Sequence, residues 1–317
     1  MKQALAVYSA VLAGGVLVCQ PMALNAQTPP AQRKWPLITE IRSPDRLTPE
    51  ARQKVEDALP KKAFAKPKKP RKLLVMDLQV NYPGHPSIPY ANLAVDLMGK
   101  KLGTWTATFS NEMSNLKYDN LKQYDALYMN NTVGPLFTDQ EVKESLLRFI
   151  REGGGLIGNH GTTHCCMDWP EFTEMIGAKN GPHRDANEKV TIKLDDPKSP
   201  LTRMFNGQEF VFTDEYFRFP GPPYSREKLH ILMSIDVEKT DMHQGTECKQ
   251  CIRDDNDYAV AWIRSYGKGR VFYCSLGHNP AMFSTPVLME HFLAGIQFAL
   301  GDLKANTTPS AKPGKKR

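Results

Sequence analysis

The 317-residue sequence has no apolar run long enough to cross a bilayer, which takes about 20 residues. The run Ala4–Val18 falls short of that. There is no P-loop, so the usual cradle for nucleotide phosphates is missing. The absence of an internal repeat argues against solenoids and propellers. Cysteine is sparse, with six in all, and Cys248-Lys-Gln-Cys251 is the only close pair besides the adjacent Cys165 and Cys166. With no histidine following, Cys248–Cys251 is not a haem-attachment motif, and one such pair cannot supply the four ligands of structural zinc. A disulfide or unpaired thiols in a surface loop is the favoured reading. Positive charge is also missing where nucleic acid would need it. The net charge of +7 comes from the ends, with 13 basic and 5 acidic residues in Gln27–Lys72 and 5 basic and no acidic ones in Lys304–Arg317. Between them, Leu73–Leu303 carries 22 basic and 29 acidic residues, which sets nucleic-acid binding aside.

The ends read as segments apart from the domain. Lys2, the apolar run and the polar stretch Gln20–Gln27 follow the order of a secretory signal peptide, residues 1–26, with cleavage after Ala26. The bulky Val18 before Cys19 argues against a lipoprotein signal. The protein is thus expected to be exported, periplasmic or extracellular, and free of a membrane span. Five cysteines remain after cleavage, and an odd number leaves at least one thiol free. Residues 27–70 form a Pro/Lys-rich extension with one helical candidate, Thr48–Leu59, capped by Thr48 with Pro49 at its first position. Lys61–Pro70 reads as an extended linker able to bury little, and residues 304–317 as a disordered basic tail.

Residues 71–303 have the pattern of one α/β domain. Lys72–Leu78 is a continuous apolar run suited to a strand buried on both faces. Tyr90–Leu102 has helical period, Thr104–Phe109 and Asp125–Asn130 are strand-like, and Thr138 with Glu141 suggests a capping box opening a helix to Arg151. Gly155–Asn159 is a fourth strand. Strands alternating with helices imply a parallel sheet. After Glu188 the segments Val190–Leu194, Glu209–Phe219, Leu229–Asp236, Tyr258–Tyr266 and Arg270–Ser275 follow one another with turns between, so antiparallel or edge strands are expected there. Pro286–Leu300 closes the domain as a helix.

Three histidines follow three strand ends, each beside a glycine: His85 in Gly84-His85, His160 in Gly158-Asn159-His160-Gly161, and His278 in Gly277-His278. In open α/β sheets ligands bind outside the carboxyl ends of the strands, near a topological switch point. His183 stands in Gly181-Pro182-His183, and Asp214-Glu215 lies in the apolar-aromatic stretch FVFTDEYFRF. A single loop histidine is most simply a satisfied hydrogen-bonding residue, and an Asp-Glu pair in such a strand an edge-facing ion pair, for instance with Arg218. Four histidines with an acidic pair are better explained together as a functional site.

The segments GGGLIGNHGTTHCCMDWPEFTEMIGA, GPH, TDEYFRF and AVAWIRSYGKGRVFYCSLGHNPAMF, with HFLAGIQFALGDL, resemble the ThuA-like, trehalose-utilisation family. The resemblance covers about residues 71–303. It implies a class I glutamine amidotransferase-like, flavodoxin-like three-layer sandwich with a mostly parallel central sheet. His85, His160, His183, Glu215 and His278 match the family's recurrent polar positions. At the elbow a glutamine amidotransferase would carry its nucleophilic cysteine, but Asn159-His160-Gly161 has no thiol, so glutaminase-type acyl transfer is not expected. The family's elbow histidine is commonly followed by serine, where this chain has Gly161.

Histidines with carboxylates suit acid–base catalysis near neutral pH, and they also suit binding of a divalent metal ion that acidifies water or polarises a carbonyl. No HExxH-type spacing decides between the two. The resemblance implies a carbohydrate substrate, in concrete form a 3-keto glycoside or disaccharide. There His160 and His278 would handle protons with Glu215 and Asp214, and His85, His183, Tyr216 and Tyr273 would bind substrate. His85, His160, His183 and His278 are the metal candidates. Trp262 in YAVAWIRSY reads as core, and Tyr273 fits core or pocket equally. Two other functions stay open: a non-catalytic carbohydrate-binding module, and a Cys-dependent amidohydrolase or peptidase using Cys165 or Cys166.

Overall fold

The computed structural model describes residues 38–245 and 247–310. The signal-peptide reading and Cys19 lie outside them. Nine strands form one sheet in the order β2-β1-β3-β4-β9-β8-β7-β5-β6. They are β1 Lys72–Met76, β2 Thr106–Phe109, β3 Ala126–Asn130, β4 Gly155–Asn159, β5 Glu188–Leu194, β6 Phe210–Asp214, β7 His230–Ile235, β8 Ala259–Tyr266 and β9 Gly269–Cys274. The first five in spatial order are parallel. From β9 onward the pairing is antiparallel, as the change of spacing after Glu188 suggests.

The helices are α1 Pro49–Asp57, α2 Ile88–Leu102, α3 Tyr118–Leu121, α4 Gln140–Arg151, α5 Pro170–Ile176 and α6 Pro286–Ala299. Alternation along each buried strand sends side chains to two cores. Leu73 and Val75 join α2 and α6 on one face, while Leu74 and Met76 join α3, α4 and α5 on the other. Because both faces are covered, these strands are apolar throughout.

Several boundaries move for physical reasons. Helix α2 begins at Ile88, since Pro89 fits a first turn whose N–H groups are unpaired anyway. Helix α4 is capped by Asp139, whose carboxylate accepts from Glu141 N at 2.9 Å, so Thr138 is not the cap. Strand β6 stops at Asp214 because its partner β5 begins at Glu188, the residue paired with Asp214. Thr48 does cap α1, accepting from Ala51 N.

The described parts of the two end segments, residues 38–70 and 304–310, carry tethers that their composition does not announce. Phe64 N and Ala65 N donate to Gln297 Oε1, Lys68 N donates to Asp302, and Arg71 bridges Asp302 and Asp125. The extended segment is thus strapped to the end of α6. At the other terminus His230 Nδ1 donates to Thr308 O at 2.6 Å, Ser310 N to Leu229 O, and Ile231 N to Ser310 Oγ. Residues 308–310 therefore lie along the start of β7.

His291, on the inner face of α6, is fully buried and donates from Nδ1 to Leu201 O. Burial pushes its imidazole down to about 4. An unfolded chain takes up this proton near pH 6.5, so between 6.5 and 4 the unfolded state binds more protons and stability falls as pH falls. The size is about 3 kcal/mol. A His291→Asn variant should lack this slope, gaining up to about 3 kcal/mol relative to the parent between pH 7 and pH 4 in urea unfolding.

Candidate active site

The strand order places the switch point between β1 and β3, and the loops leaving β1, β3, β4 and β9 meet above it. A buried polar layer joins them. Asp77 accepts from Arg42 N and from the side-chain amides of Asn92 and Asn111, at 2.8–2.9 Å. Asn131 donates to Gly277 O and Ser87 Oγ, and accepts from Gly161 N. Ser87 Oγ donates to Gly277 O at 2.5 Å, and Arg42 also donates to Pro83 O. The loops carrying His85, His160 and His278 are thereby fixed to one another. Sequence reasoning missed Arg42, Asn92 and Asn131. Asn131 had a readable signal, because Asn130-Asn131 follows β3 as the histidines follow their strands. Arg42 had none.

On this layer stand the three imidazoles. The ring of His85 is 4.7 Å from that of His160 and 5.1 Å from that of His278, and the last two are 5.2 Å apart. One nitrogen from each falls within 4.8 Å of the others. His160 is fully buried and donates from Nδ1 to Ser275 O at 2.9 Å, which leaves the lone pair on Nε2. Nε2 has no hydrogen-bond partner, and neither does His85 Nδ1. Glu215 Oε2 lies 3.3 Å from His160 Nε2, at ion-pair distance but off the hydrogen-bond line. That contact is attractive only with a proton or a cation on Nε2, and in that state His160 helps to keep Glu215 ionised. Burial first, then His160 and His278, keeps the His85 imidazole well below its ordinary value, in the neutral form that ligates metal. Two buried, unpartnered nitrogens and three converging imidazoles fit a divalent transition-metal ion.

Glu215 joins this cluster to His183, which the structure places beside it rather than in it. His183 Nδ1 is 3.1 Å from Glu215 Oε1 and 2.8 Å from Arg184 O, and the imidazole is exposed to solvent. The Glu215 carboxylate raises the His183 imidazole above its ordinary value. Burial works against ionisation of Glu215, yet His160 and His183 together hold its carboxyl well below the usual range. Phe217 stacks on His160 at 4.5 Å and meets His183 edge-on. Arg218 does not pair with Asp214 or Glu215. It makes a bidentate bond to Glu188 at the start of β5 and donates to Tyr216 O, pinning the segment that bears Glu215 and Phe217.

The profile of the ThuA family, described as trehalose utilisation, matches residues 72–299. The chain belongs to the ThuA family. Among solved structures it is similar to a ThuA-like protein of Bacteroides uniformis, with 18% identity over 74% of this chain and 93% of that one and a TM-score of 0.59. A ThuA-like protein of Parabacteroides merdae is 17% identical over 76% and 95% of the two chains, with a TM-score of 0.53. At such identities these likenesses speak for the fold. A comparison with curated proteins returns no match.

Within this ThuA domain Gly161 has a local reason. A Cβ there would lie 3.0 Å from His85 Cε1 and 2.9 Å from Asn131 O, so any side chain would press on the His85 ring. Two of the tyrosines expected in the pocket are core. Tyr216 is buried and donates to Phe212 O. Tyr273 is buried against Trp262, 4.4 Å away, and donates to His160 O, so it supports the elbow from beneath. Trp262 is core as well, donating to Ile176 O.

The Asp214 carboxylate is committed to backbone N–H groups. Fully buried, it accepts from Gly277 N, Asn279 N and Glu215 N at 2.8–3.0 Å, clamping the loop that carries His278. An Asp214→Asn substitution would aim an amide donor at a backbone N–H. It should cost about 1–3 kcal/mol in urea unfolding and lower any activity that needs His278 in place. An unchanged unfolding midpoint would refute the clamp.

The cysteines separate. Cys248 and Cys251 form a disulfide, and Cys165, Cys166 and Cys274 are free and buried. Cys165 Sγ contacts Cys166 Sγ at 3.2 Å, and no imidazole is bonded to either. Burial pushes the Cys165 thiol well up, whereas its contact with Cys165 draws Cys166 down. Without a bonded base, neither has the pairing that a cysteine hydrolase uses. No helix among the described residues is long and apolar enough to cross a membrane.

Proposed function

We propose that this ThuA protein is an exported enzyme of carbohydrate breakdown that acts on a 3-keto glycoside or disaccharide. The observation that carries the reading is the convergence of His85, His160 and His278 within 4.8 Å, beside Glu215, at the carboxyl edge of the sheet. The Cys248–Cys251 disulfide supports an oxidising compartment. His85, His160 and His278 would hold a divalent ion, whose chemistry is to polarise a carbonyl oxygen such as that of a 3-keto group. That carbonyl acidifies the C2 proton of the sugar. His183, exposed at the mouth of the site and tethered to Glu215, would take it. Loss of the proton from C2 forms the C1–C2 double bond as the C1–O bond breaks, and the leaving alcohol takes up a proton. Phe217 keeps the imidazoles of His160 and His183 in register.

The test is metal analysis of the full chain together with turnover of 3-keto and unoxidised glycosides. One divalent ion per chain and turnover of keto substrates alone is the expected result. No ion bound and no keto-sugar consumed would overturn the proposal, and glycoside binding without turnover would leave a carbohydrate-binding module.

A further inference from the structure

A cleft of about 550 Å³ opens next to the histidines, between the loops leaving β1, β3 and β4. Its size is that of a small-ligand site, about 300–1,000 Å³. Tyr82 is the shared wall, with its hydroxyl 3.3 Å from His85 Nε2 and its ring 5.0 Å from the imidazole. The interior is lined by Val80, Val133, Phe137, Met167 and Trp169. Trp169 is held between Phe172, stacked at 5.7 Å, and Lys143, 5.5 Å over its ring. The cleft is built rigidly. Val80 N donates to Val133 O, Gly134 N to His164 O, and Cys166 N to Gly134 O. A Cβ on Gly134, at φ +96°, would fall 2.2 Å from Val80 O. Asn81 and Cys166 stand at φ 59° and 50°, and a left-handed cysteine persists only where its surroundings over-determine it.

The polar groups are distributed unevenly. Asn81, Thr138 and Asp168 stand exposed at the rim. Inside, His164 Nδ1 already bonds Asn180, and Cys166 Sγ faces Gly134 O. A second hexose would bring hydroxyls to walls with few partners for them, and unpaired polar groups are costly to bury. A flat apolar ring would meet carbon and sulfur on most sides.

We propose that this cleft receives the leaving group of the substrate, and that the group it selects is an aromatic aglycone. The assignment rests on the function proposed above and adds which glycosides that site prefers. The His cluster holds the oxidised sugar, and Tyr82 marks the boundary between sugar and aglycone.

The experiment compares phenyl and methyl glucosides, each unoxidised and as the 3-keto form, by calorimetric binding to the full chain and by turnover. The phenyl compounds should bind about tenfold or more tightly than the methyl ones, as expected for an aromatic ring entering an apolar pocket. Met167→Trp, which fills the cleft from a half-buried position, should erase that preference. Thr138→Trp at the exposed rim provides a second obstruction should the first variant fold poorly. Equal affinity for phenyl and methyl compounds, or a phenyl preference that survives both substitutions, overturns the assignment. A phenyl preference that Met167→Trp removes, in a protein that turns over no keto-glycoside, supports the cleft while sinking the reaction.

Discussion

His160→Ala should lower divalent-metal affinity by about 100-fold or more and turnover of a 3-keto glycoside by at least as much. The first figure is a lower bound, since mutating even an outer-shell partner of a metal ligand costs 10–100-fold. His160 is the best-fixed of the three imidazoles. It is fully buried, its Nδ1–H is committed to Ser275 O, its ring is stacked on Phe217, and its carbonyl is held by Tyr273. Its backbone sits at φ 36°, a region a β-carbon disfavours, and the elbow holds it there. The substitution also frees Glu215 from one of the two imidazoles that keep it ionised. Metal content and kcat/KM are the primary measurements, and thermal unfolding is the control for collapse of the elbow. A folded His160→Ala protein that keeps its metal and its turnover would remove the His cluster from the chemistry.

How much of this site was legible follows from sheet geometry. Parallel strands put their carboxyl ends on one edge, and a residue one or two positions past a strand cannot travel far. His160, one residue past β4, was therefore placed by its strand end alone. His278, four residues past β9, came with it because Asp214 clamps its loop. His85, on a longer loop still, did so because Gly84 and the Arg42–Pro83 bond fold that loop back. Asp214 and Glu215 were found as a pair, but their roles could not be separated. That depended on where the β5–β6 ladder ends, which is set by a strand more than twenty residues earlier. Tyr216 and Tyr273 were misplaced for a related reason. Alternation in a strand buried on both faces marks two cores and does not tell core from pocket.

The segments outside the domain misled by composition. Pro/Lys-rich stretches cannot build a core, but they can be strapped by backbone bonds to side chains far along the chain, such as Gln297 and Asp302. No local period records such partners. Arg42 belongs to the same class: a residue in a supposed extension whose backbone and guanidinium brace Asp77 and the His85 loop.

Glu188→Ala should destabilise the protein by about 3–5 kcal/mol, the cost of breaking a buried ion pair from one side. Glu188 and Arg218 are both almost fully buried, and the guanidinium forks onto the carboxylate while also reaching Tyr216 O and Cys251 O. Arg184 lies 3.7 Å from the same carboxylate, so two cations would lose one anion. The consequence extends to the site. Arg218 ties residues 215–219 to the first residue of β5 and to the disulfide loop, and that segment presents Glu215 and Phe217 to His160. Glu188→Gln keeps one acceptor for the fork and should cost less than Glu188→Ala, with a smaller loss of turnover. Urea unfolding of the two variants measures the first effect, and their kcat/KM on a keto-glycoside the second. A Glu188→Ala protein within about 1 kcal/mol of the parent would mean that this pair contributes no more than an exposed one, and that Glu215 is held by its imidazoles alone.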